Sequence, residues 1–205
     1  MTTVAAPSSE PGTRPRRRRL RHPARWLAGA VLLVLAIVGI VAATRPSYQA
    51  TQVASPLLGR PAPAVSGTTL SGQRLSLASY RGRYVYVNFF ASWCPPCQQE
   101  EQSLVDFAFR QQRSSDGAAL VSVVFNDSLA AARRFVGQWG AEWPAVADHD
   151  GTIASRYGVE SPPMTFLVNP QGRIVGTWAG PVTAGQLDTM LSYVRHHPGT
   201  GLGGG

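Results

Sequence analysis

The stretch Tyr84-Val85-Tyr86-Val87-Asn88-Phe89-Phe90-Ala91-Ser92-Trp93-Cys94-Pro95-Pro96-Cys97 carries the strongest structural signal in the chain. Residues 84–90 are apolar or aromatic on both faces except at Asn88, a pattern typical of a strand buried in the centre of a sheet. Beyond the cysteines, Leu104, Phe107 and Ala108 recur at helical spacing. The sequence therefore predicts a buried strand that runs into a helix, with both cysteines at the junction.

Cys94 and Cys97 are the two cysteines of this 205-residue chain. A structural disulfide framework would use more cysteines at wider spacing, so the pair is predicted to be reactive. At a helix N-terminus the free backbone N–H groups and the helix dipole stabilise a thiolate, which is the attacking species. Cys94, the sulfur expected to be more exposed, would attack a substrate disulfide, and Cys97 would resolve the mixed disulfide. Neither a metal nor a cofactor is predicted beside this redox-active disulfide.

The residues between the cysteines predict the direction of the reaction. Pro95 and Pro96 have no N–H to donate to a thiolate at Cys94. With fewer donors the thiolate is stabilised less than in strongly oxidising proteins that use this chemistry. The sequence therefore predicts a reductant.

Other uses of a cysteine pair find little support in the sequence. A structural zinc site needs four ligands, but there is no second cysteine pair, and His149, His196 and His197 are expected in a turn and at the tail. Covalent haem attachment needs a histidine after the second cysteine, where Gln98 stands. A copper chaperone of this fold class would want three residues between the cysteines and a distal histidine.

Strand and helix signals alternate along the rest of the chain. They are a hairpin within residues 70–77, a buried strand at 120–125, a helix capped by Asn126, Asp127 or Ser128, a hairpin around residues 169–172, and an amphipathic helix at 183–195. Gly117 is expected to end the helix that follows the cysteines. This alternation predicts an α/β fold whose sheet is at least partly parallel.

The N-terminal part of the chain differs from the rest in its charge and composition. Residues 1–25 hold seven arginines and one acid, and their Pro, Ser and Arg content predicts a disordered cytoplasmic tail. Residues 27–43 carry no charge, so residues 26–44 are predicted to form a transmembrane anchor that places everything after Thr44 outside the cytoplasm. A cleaved signal peptide is the alternative, and residues 45–57 are interpreted as a linker. From residue 46 onward the charge is nearly balanced, which argues against nucleic-acid binding.

At this point the sequence resembles a family, the exported thioredoxin-like reductases of the TlpA, ResA and CcmG type. The motif from Asn88 to Cys97 is its most specific element, and Gly59-Arg60-Pro61-Ala62-Pro63 with Leu70-Ser71-Gly72 resembles the family's N-terminal hairpin. The resemblance implies a thioredoxin-like domain over residues 58–197, with a central mixed sheet flanked by helices and an N-terminal hairpin extension. Residues 198–205 are then a flexible tail.

The same resemblance implies roles for particular residues. Pro163, within Pro162-Pro163-Met164-Thr165-Phe166-Leu167-Val168, should follow a cis peptide bond and face the cysteines across a groove for the substrate backbone. Asn88 stands where cytoplasmic thioredoxins have a buried proton-handling aspartate, so that role is expected to fall to Glu100, with Glu101 as the neighbouring alternative. Trp93 is expected to screen the pair from water. Many relatives have a helix-kinking proline where Gln102 stands, so the kink is in doubt.

The resemblance also implies a biological role. It predicts an extracytoplasmic disulfide reductase that acts on the oxidised Cys-x-x-Cys-His of apocytochrome c during cytochrome c-type biogenesis. A membrane electron donor of the DsbD or CcdA kind would reduce it again. A general reductase or oxidase of exported proteins is the alternative within this class. A tethered binding module or metal chaperone is the alternative outside it.

Overall fold

The computed structural model describes residues 23–43 and 49–198. The chain divides into two compact units, Met1–Ser47 and Tyr48–Gly205. Helix α1, Pro23–Ala43, belongs to the first unit, and its side chains from residue 26 to 41 are exposed. Among the described residues no helix has both the length and the apolarity needed to cross a membrane. Most of the predicted tail, the end of the predicted anchor at residue 44, and residues 199–205 lie outside the described residues.

The second unit contains eight strands and four further helices among its described residues. The strands are β1 Thr51–Gln52, β2 Ser66–Thr68, β3 Arg74–Ser76, β4 Val85–Phe90, β5 Ala119–Val124, β6 Ala145–Ala147, β7 Met164–Val168 and β8 Ile174–Ala179. The helices are α2 Pro95–Gln112, α3 Leu129–Trp139, α4 Thr152–Tyr157 and α5 Ala184–His196, with a short 3-10 helix at Leu77–Tyr80. This arrangement is the predicted thioredoxin-like α/β fold.

A six-stranded mixed sheet in the order β1-β8-β7-β4-β5-β6 forms the centre of the domain. Strands β4, β5 and β6 run parallel, whereas β7 pairs antiparallel with both β4 and β8. All six residues of β4 are buried, as the apolar run predicts. Because side chains alternate along a strand, Val85, Val87 and Phe89 pack into the apolar core on one face of the sheet and Tyr86 into the core on the other.

Helices cover both faces of the sheet and hold its central strands out of water. The core that contains Tyr86 is completed by apolar side chains of α2 and α5, and the opposite core by those of α4. Ser128 caps α3 through its side chain, and Thr183 caps α5 in a reciprocal capping box with Gln186. The helix predicted at 183–195 is therefore present with its expected start.

Three boundaries differ from the sequence expectations. The N-terminal hairpin pairs Ser66–Thr68 with Arg74–Ser76, so most of the 70–77 segment forms its turn and second strand. Helix α2 ends at Gln112, and Gly117 does not cap it. An added Cβ at Gly117 would lie 1.9 Å from the Gln111 carbonyl oxygen, so the glycine permits a close backbone approach instead.

The predicted linker at residues 45–57 is also wrong from residue 49 onward, because Thr51–Gln52 adds an edge strand to β8. The Ala50 N–H donates to the Pro181 carbonyl and the Val53 N–H to the Thr177 carbonyl. A strand of two residues is too short to show a recognisable alternation of apolar and polar residues in the sequence. The domain therefore begins about nine residues earlier than predicted, near Gln49 instead of residue 58.

Candidate active site

The two cysteines lie where β4 ends and α2 begins, and they are joined in a disulfide with a Cα–Cα distance of 5.3 Å. Cys94 is the N-cap residue of α2, and its Sγ accepts a hydrogen bond from the Cys97 N–H at 3.1 Å. Pro95 and Pro96 occupy the first two helical positions and have no N–H to offer. The sulfur of Cys94 therefore meets one backbone donor of this first turn, the amide of Cys97.

Exposure differs less between the cysteines than expected. Cys94 is 2% exposed and Cys97 is fully buried, so the predicted order holds but Cys94 is far from open. The Pro162 carbonyl oxygen lies 3.6 Å from Cys94 Sγ. In the disulfide this is a contact only, because Cys94 then has no S–H to donate. After reduction the same geometry lets the Cys94 thiol donate to that carbonyl.

A groove begins at this carbonyl. The Pro162-Pro163 peptide bond is cis, as the resemblance implies. The groove has a volume of about 460 Å³ and is lined by Val53, Pro96, Gly158, Glu160, Ser161, Pro162, Pro163, Met164, Ala179, Gly180 and Pro181. The Pro163 carbonyl accepts from the Gly180 N–H at 3.0 Å, which ties the start of β7 to the end of β8. That a substrate backbone occupies this groove stays a prediction.

Glu100 follows Cys97 by three residues on the buried face of α2, and it is 1% exposed. Its Oε1 accepts from Asn88 Nδ2 at 2.8 Å, and its Oε2 accepts from the Val182 N–H at 2.9 Å. Desolvation is the largest influence and raises the pKa of Glu100 to about 8, although both hydrogen bonds act to lower it. A buried carboxyl that titrates near the range of thiols is suited to exchange protons with them.

Asn88 is completely buried and links Glu100 to β7. Its Nδ2 also donates to Thr165 Oγ1 at 3.1 Å, whereas its Oδ1 has no hydrogen-bond partner. If the Asn88 amide turned over, Oδ1 would face Glu100 and accept a hydrogen bond from the neutral carboxyl. Asn88 can therefore form a hydrogen bond with either protonation state of Glu100.

Glu101 is buried as well, at 3% exposure, and desolvation raises its pKa to about 7. The sequence left Glu100 and Glu101 as alternatives, but the structure buries both carboxyls. Glu101 follows Cys97 by one helical turn and precedes Leu104 by three residues, and all three lie on the buried face of α2. Because Glu101 lies four residues after Cys97, helical spacing is the sequence signal that predicts its burial.

Trp93 lies on the surface and is 54% exposed, which excludes a purely core role for its indole ring. Its Nε1 donates to the Asn126 carbonyl oxygen at 3.1 Å. The indole is therefore held in a defined position next to Cys94 in the chain. Its role in screening the cysteines from water stays a prediction.

Asn126 and Asp127 were predicted only as candidate caps for α3, whereas in the structure both hold the segment before Cys94. Asp127 Oδ2 accepts from the Ser92 N–H at 2.7 Å, and Gln98 Nε2 donates to the Ser92 carbonyl at 3.0 Å. Asn126 adopts a positive φ of 42°, which is uncommon outside glycine and directs its carbonyl toward Trp93. The sequence signal that could have identified them as site residues is their polar character at the end of a buried strand.

The described residues contain no cluster of three or more His, Cys, Asp or Glu side chains arranged to hold a metal ion.

Comparisons with known proteins agree with this site. The model of the AhpC/TSA family matches residues 58–177. The thiol-disulfide oxidoreductase ResA of Bacillus subtilis is 29% identical over 125 residues, which cover 61% of this chain and 69% of ResA. The thioredoxin-like protein YneN of the same organism is 31% identical over 170 residues, covering 82% of this chain and 96% of YneN.

Solved structures with a similar fold include a protein of the thioredoxin family. A thiol:disulfide interchange protein of the thioredoxin family from Chlorobium tepidum has a TM-score of 0.60 and 27% sequence identity, and the match covers 69% of this chain and 98% of that one. Thiol:disulfide interchange, for which that protein is named, is the chemistry that a cysteine pair at a helix N-terminus supports. The chain belongs to the AhpC/TSA family and is a thioredoxin-like thiol-disulfide oxidoreductase with its Cys-x-x-Cys pair at Cys94 and Cys97.

Proposed function

We propose that the protein is a disulfide reductase of exported proteins, attached to the membrane by its N-terminal segment. The observation that carries the reductive direction is that, among the described residues, Cys94 Sγ has one N–H donor, that of Cys97. A weakly stabilised thiolate makes the dithiol form a better electron donor. A redox titration tests this direction, and a potential of about −150 mV or higher would contradict it.

The reaction proceeds by two successive exchanges. The Cys94 thiolate attacks one sulfur of the substrate disulfide, the other substrate sulfur leaves and takes a proton, and a mixed disulfide forms. The Cys97 thiolate then attacks Cys94 Sγ, which releases the second substrate thiol and closes the Cys94-Cys97 disulfide. The two electrons gained by the substrate come from these two protein thiols.

The ionised form of Glu100, whose population grows as the pH approaches about 8, is the proton acceptor for the second exchange. Cys97 is completely buried, so its proton must pass to a nearby group before the sulfur can attack. Glu100 lies one turn beyond it on the buried face of α2. Its raised pKa of about 8 brings the carboxyl close to the ordinary range of a thiol, which keeps the transfer nearly balanced in free energy.

The substrate and the location belong to the same proposal. A uniformly uncharged run at residues 27–43 follows seven arginines, which supports an anchor with the N-terminus in the cytoplasm. Outside the cytoplasm, the favoured substrate is the oxidised Cys-x-x-Cys-His of apocytochrome c. A membrane electron donor of the DsbD or CcdA kind then returns the enzyme to its dithiol form.

Trapping tests the substrate. In Cys97→Ser the first exchange proceeds and the second does not, so substrates accumulate as mixed disulfides on Cys94. The double variant Cys94→Ser with Cys97→Ser is the matched control, because it lacks the attacking sulfur. Recovery of cytochrome c precursors from the single variant alone supports maturation, and their absence among abundant trapped proteins rejects that assignment.

Fractionation tests the location. The full chain is expected in the membrane fraction, with residues after 48 accessible to protease added from outside the cytoplasm. Recovery of the full chain in the cytoplasmic soluble fraction would contradict the proposed anchor.

A further inference from the structure

The cis peptide unit beside Cys94 is unusual in its hydrogen-bonding groups. Both of its residues, Pro162 and Pro163, lack an N–H, and we call this pair the proline lip. The Pro163 carbonyl is occupied by the Gly180 N–H. The Pro162 carbonyl instead lies 3.6 Å from Cys94 Sγ, at the point where a substrate sulfur becomes attached. Beside the reacting sulfur the proline lip therefore offers an acceptor and no donor.

This imbalance matters most in the mixed disulfide. Cys94 then carries no S–H, so the Pro162 carbonyl needs a donor from the substrate or from water. An extended substrate strand presents both an N–H and a carbonyl along each edge, as strands do in a ladder. Only its N–H finds a partner at the proline lip, and its carbonyl loses solvent without gaining a hydrogen bond.

A cysteine that begins a helix presents the complementary pattern. The first N–H groups of a helix have no partner within the helix, whereas the carbonyls there accept from the following turn. The Cys94-Cys97 pair of this chain shows the arrangement, since the Cys94 carbonyl accepts from the Gln98 N–H at 3.2 Å. A substrate of this kind brings free donors to the proline lip and leaves no carbonyl unpaired.

We propose that Pro162 is a specificity-determining residue that favours substrates whose reacting cysteine starts a helix or a tight Cys-x-x-Cys turn, over substrates bound as extended strands. The inference rests on the proposed reductase function and narrows its substrate class. It assigns to Pro162 a discrimination based on a missing N–H, separate from the chemistry of the cysteines.

Two disulfide peptides test the proposal on the full-length protein in detergent. In the first, an oxidised Cys-x-x-Cys ring begins an alanine-rich helix. The second is an extended Val- and Thr-rich peptide with one cysteine in a mixed disulfide with a small thiol. The kcat/KM for reduction of each is measured for the wild type and for Pro162→Ala, which restores an N–H and keeps Pro163 for the cis bond.

Pro162→Ala is expected to raise kcat/KM about fivefold for the extended peptide, the factor that one net hydrogen bond supplies. For the helical peptide the change should stay below about twofold. Equal changes for both peptides, or no gain for the extended one, overturn the proposal. Pro170→Ala makes the same substitution in the β7–β8 turn and controls for loss of a proline ring.

A second measurement does not depend on the folding of any variant. In the helical peptide the backbone N–H groups next to the reacting cysteine are methylated one at a time, and the wild-type enzyme is assayed. One of these methylations should lower kcat/KM about fivefold, and no effect from any of them overturns the proposal. If the wild type reduces neither peptide, the proposed reductase function fails, whereas activity without this selectivity rejects only the role of Pro162.

Discussion

Substitution of Glu100 by Gln should make the stability of the protein much less dependent on pH. Folding raises the pKa of this carboxyl from 4.5 to about 8, chiefly through desolvation. Gln keeps the size of the side chain and an oxygen that can accept from the Val182 N–H. Its amide can donate to Asn88 Oδ1, the atom without a partner in the wild type, once the Asn88 amide turns over. The variant therefore removes the ionisation and leaves the packing largely intact.

The direction in which the free energy of unfolding changes with pH follows from how many protons the folded and unfolded states bind. Between pH 4.5 and about 8 the folded protein holds a proton on Glu100 that the unfolded chain has released. The folded state thus binds more protons, and the free energy of unfolding must fall as pH rises through this window. The contribution of the protonated carboxyl is complete below pH 4.5 and is lost by about pH 8. This slope is opposite to that of a carboxylate held in a salt bridge.

The expected change in the free energy of unfolding is large for one side chain. At roughly 1.4 kcal/mol for each unit of pKa, the ionised carboxyl destabilises the folded state by up to about 5 kcal/mol. Relative to the wild type, Glu100→Gln should therefore gain about 4 kcal/mol between about pH 5 and about pH 9. The neighbouring Glu101→Gln should gain less, about 3 kcal/mol, because the pKa of Glu101 rises only to about 7.

Urea unfolding of the oxidised protein, followed by tryptophan fluorescence across this pH range, measures the effect. The disulfide prevents thiol titration from contributing. Glu142→Gln, at an exposed position, controls for the general loss of a negative charge. Parallel wild-type and Glu100→Gln curves at every pH would refute the reasoning, because they would mean that Glu100 ionises in the folded protein as it does in the unfolded chain.

Five further substitutions, two of them controls, test other contacts. Pro96→Ala restores an N–H at the second helical position, where an N-cap side chain can accept it, and should raise the reduction potential by about 30 mV in a redox titration. Pro95→Ala restores an N–H one position earlier and should change the potential less. Asp127→Ala removes the acceptor for the Ser92 N–H and should lower the free energy of unfolding by about 1–2 kcal/mol, with an altered Trp93 emission as the spectroscopic readout. Gly117→Ala places a Cβ against the Gln111 carbonyl and should cost about 3 kcal/mol or more, whereas Gly137→Ala, on the open face of α3, should stabilise by about 0.5–1 kcal/mol in the same urea assay. An unchanged potential in Pro96→Ala would remove the argument for the reductive direction.

The features predicted correctly are those encoded within a few consecutive residues. The apolar run of β4 requires burial on both faces, and the Cys-x-x-Cys pair follows it directly into α2. Ser128, one of three candidate caps, accepts from an N–H three residues away, and the helix expected from about residue 183 begins directly after Thr183. Such signals depend on local periodicity and turn chemistry, so they can be interpreted without knowing what packs against them.

The contacts around the disulfide could be identified only from the tertiary structure. Glu100 receives hydrogen bonds from Asn88 and from the Val182 N–H, 12 and 82 residues away in the chain. Asp127 holds the Ser92 N–H across 35 residues, and the Pro162 carbonyl reaches Cys94 Sγ across 68. These distances depend on how strands pair and helices pack, which no local pattern specifies.

The sequence by itself determined the passage from β4 into α2, the placement of the cysteines at a helix N-terminus and the loss of two backbone donors to Pro95 and Pro96. Only the tertiary structure decided that Glu101 is buried together with Glu100 and that residues 51–52 complete the sheet edge. The physical reason is that burial and desolvation are collective properties. A carboxyl acquires a raised pKa from the groups that exclude water around it, and those groups come from distant parts of the chain.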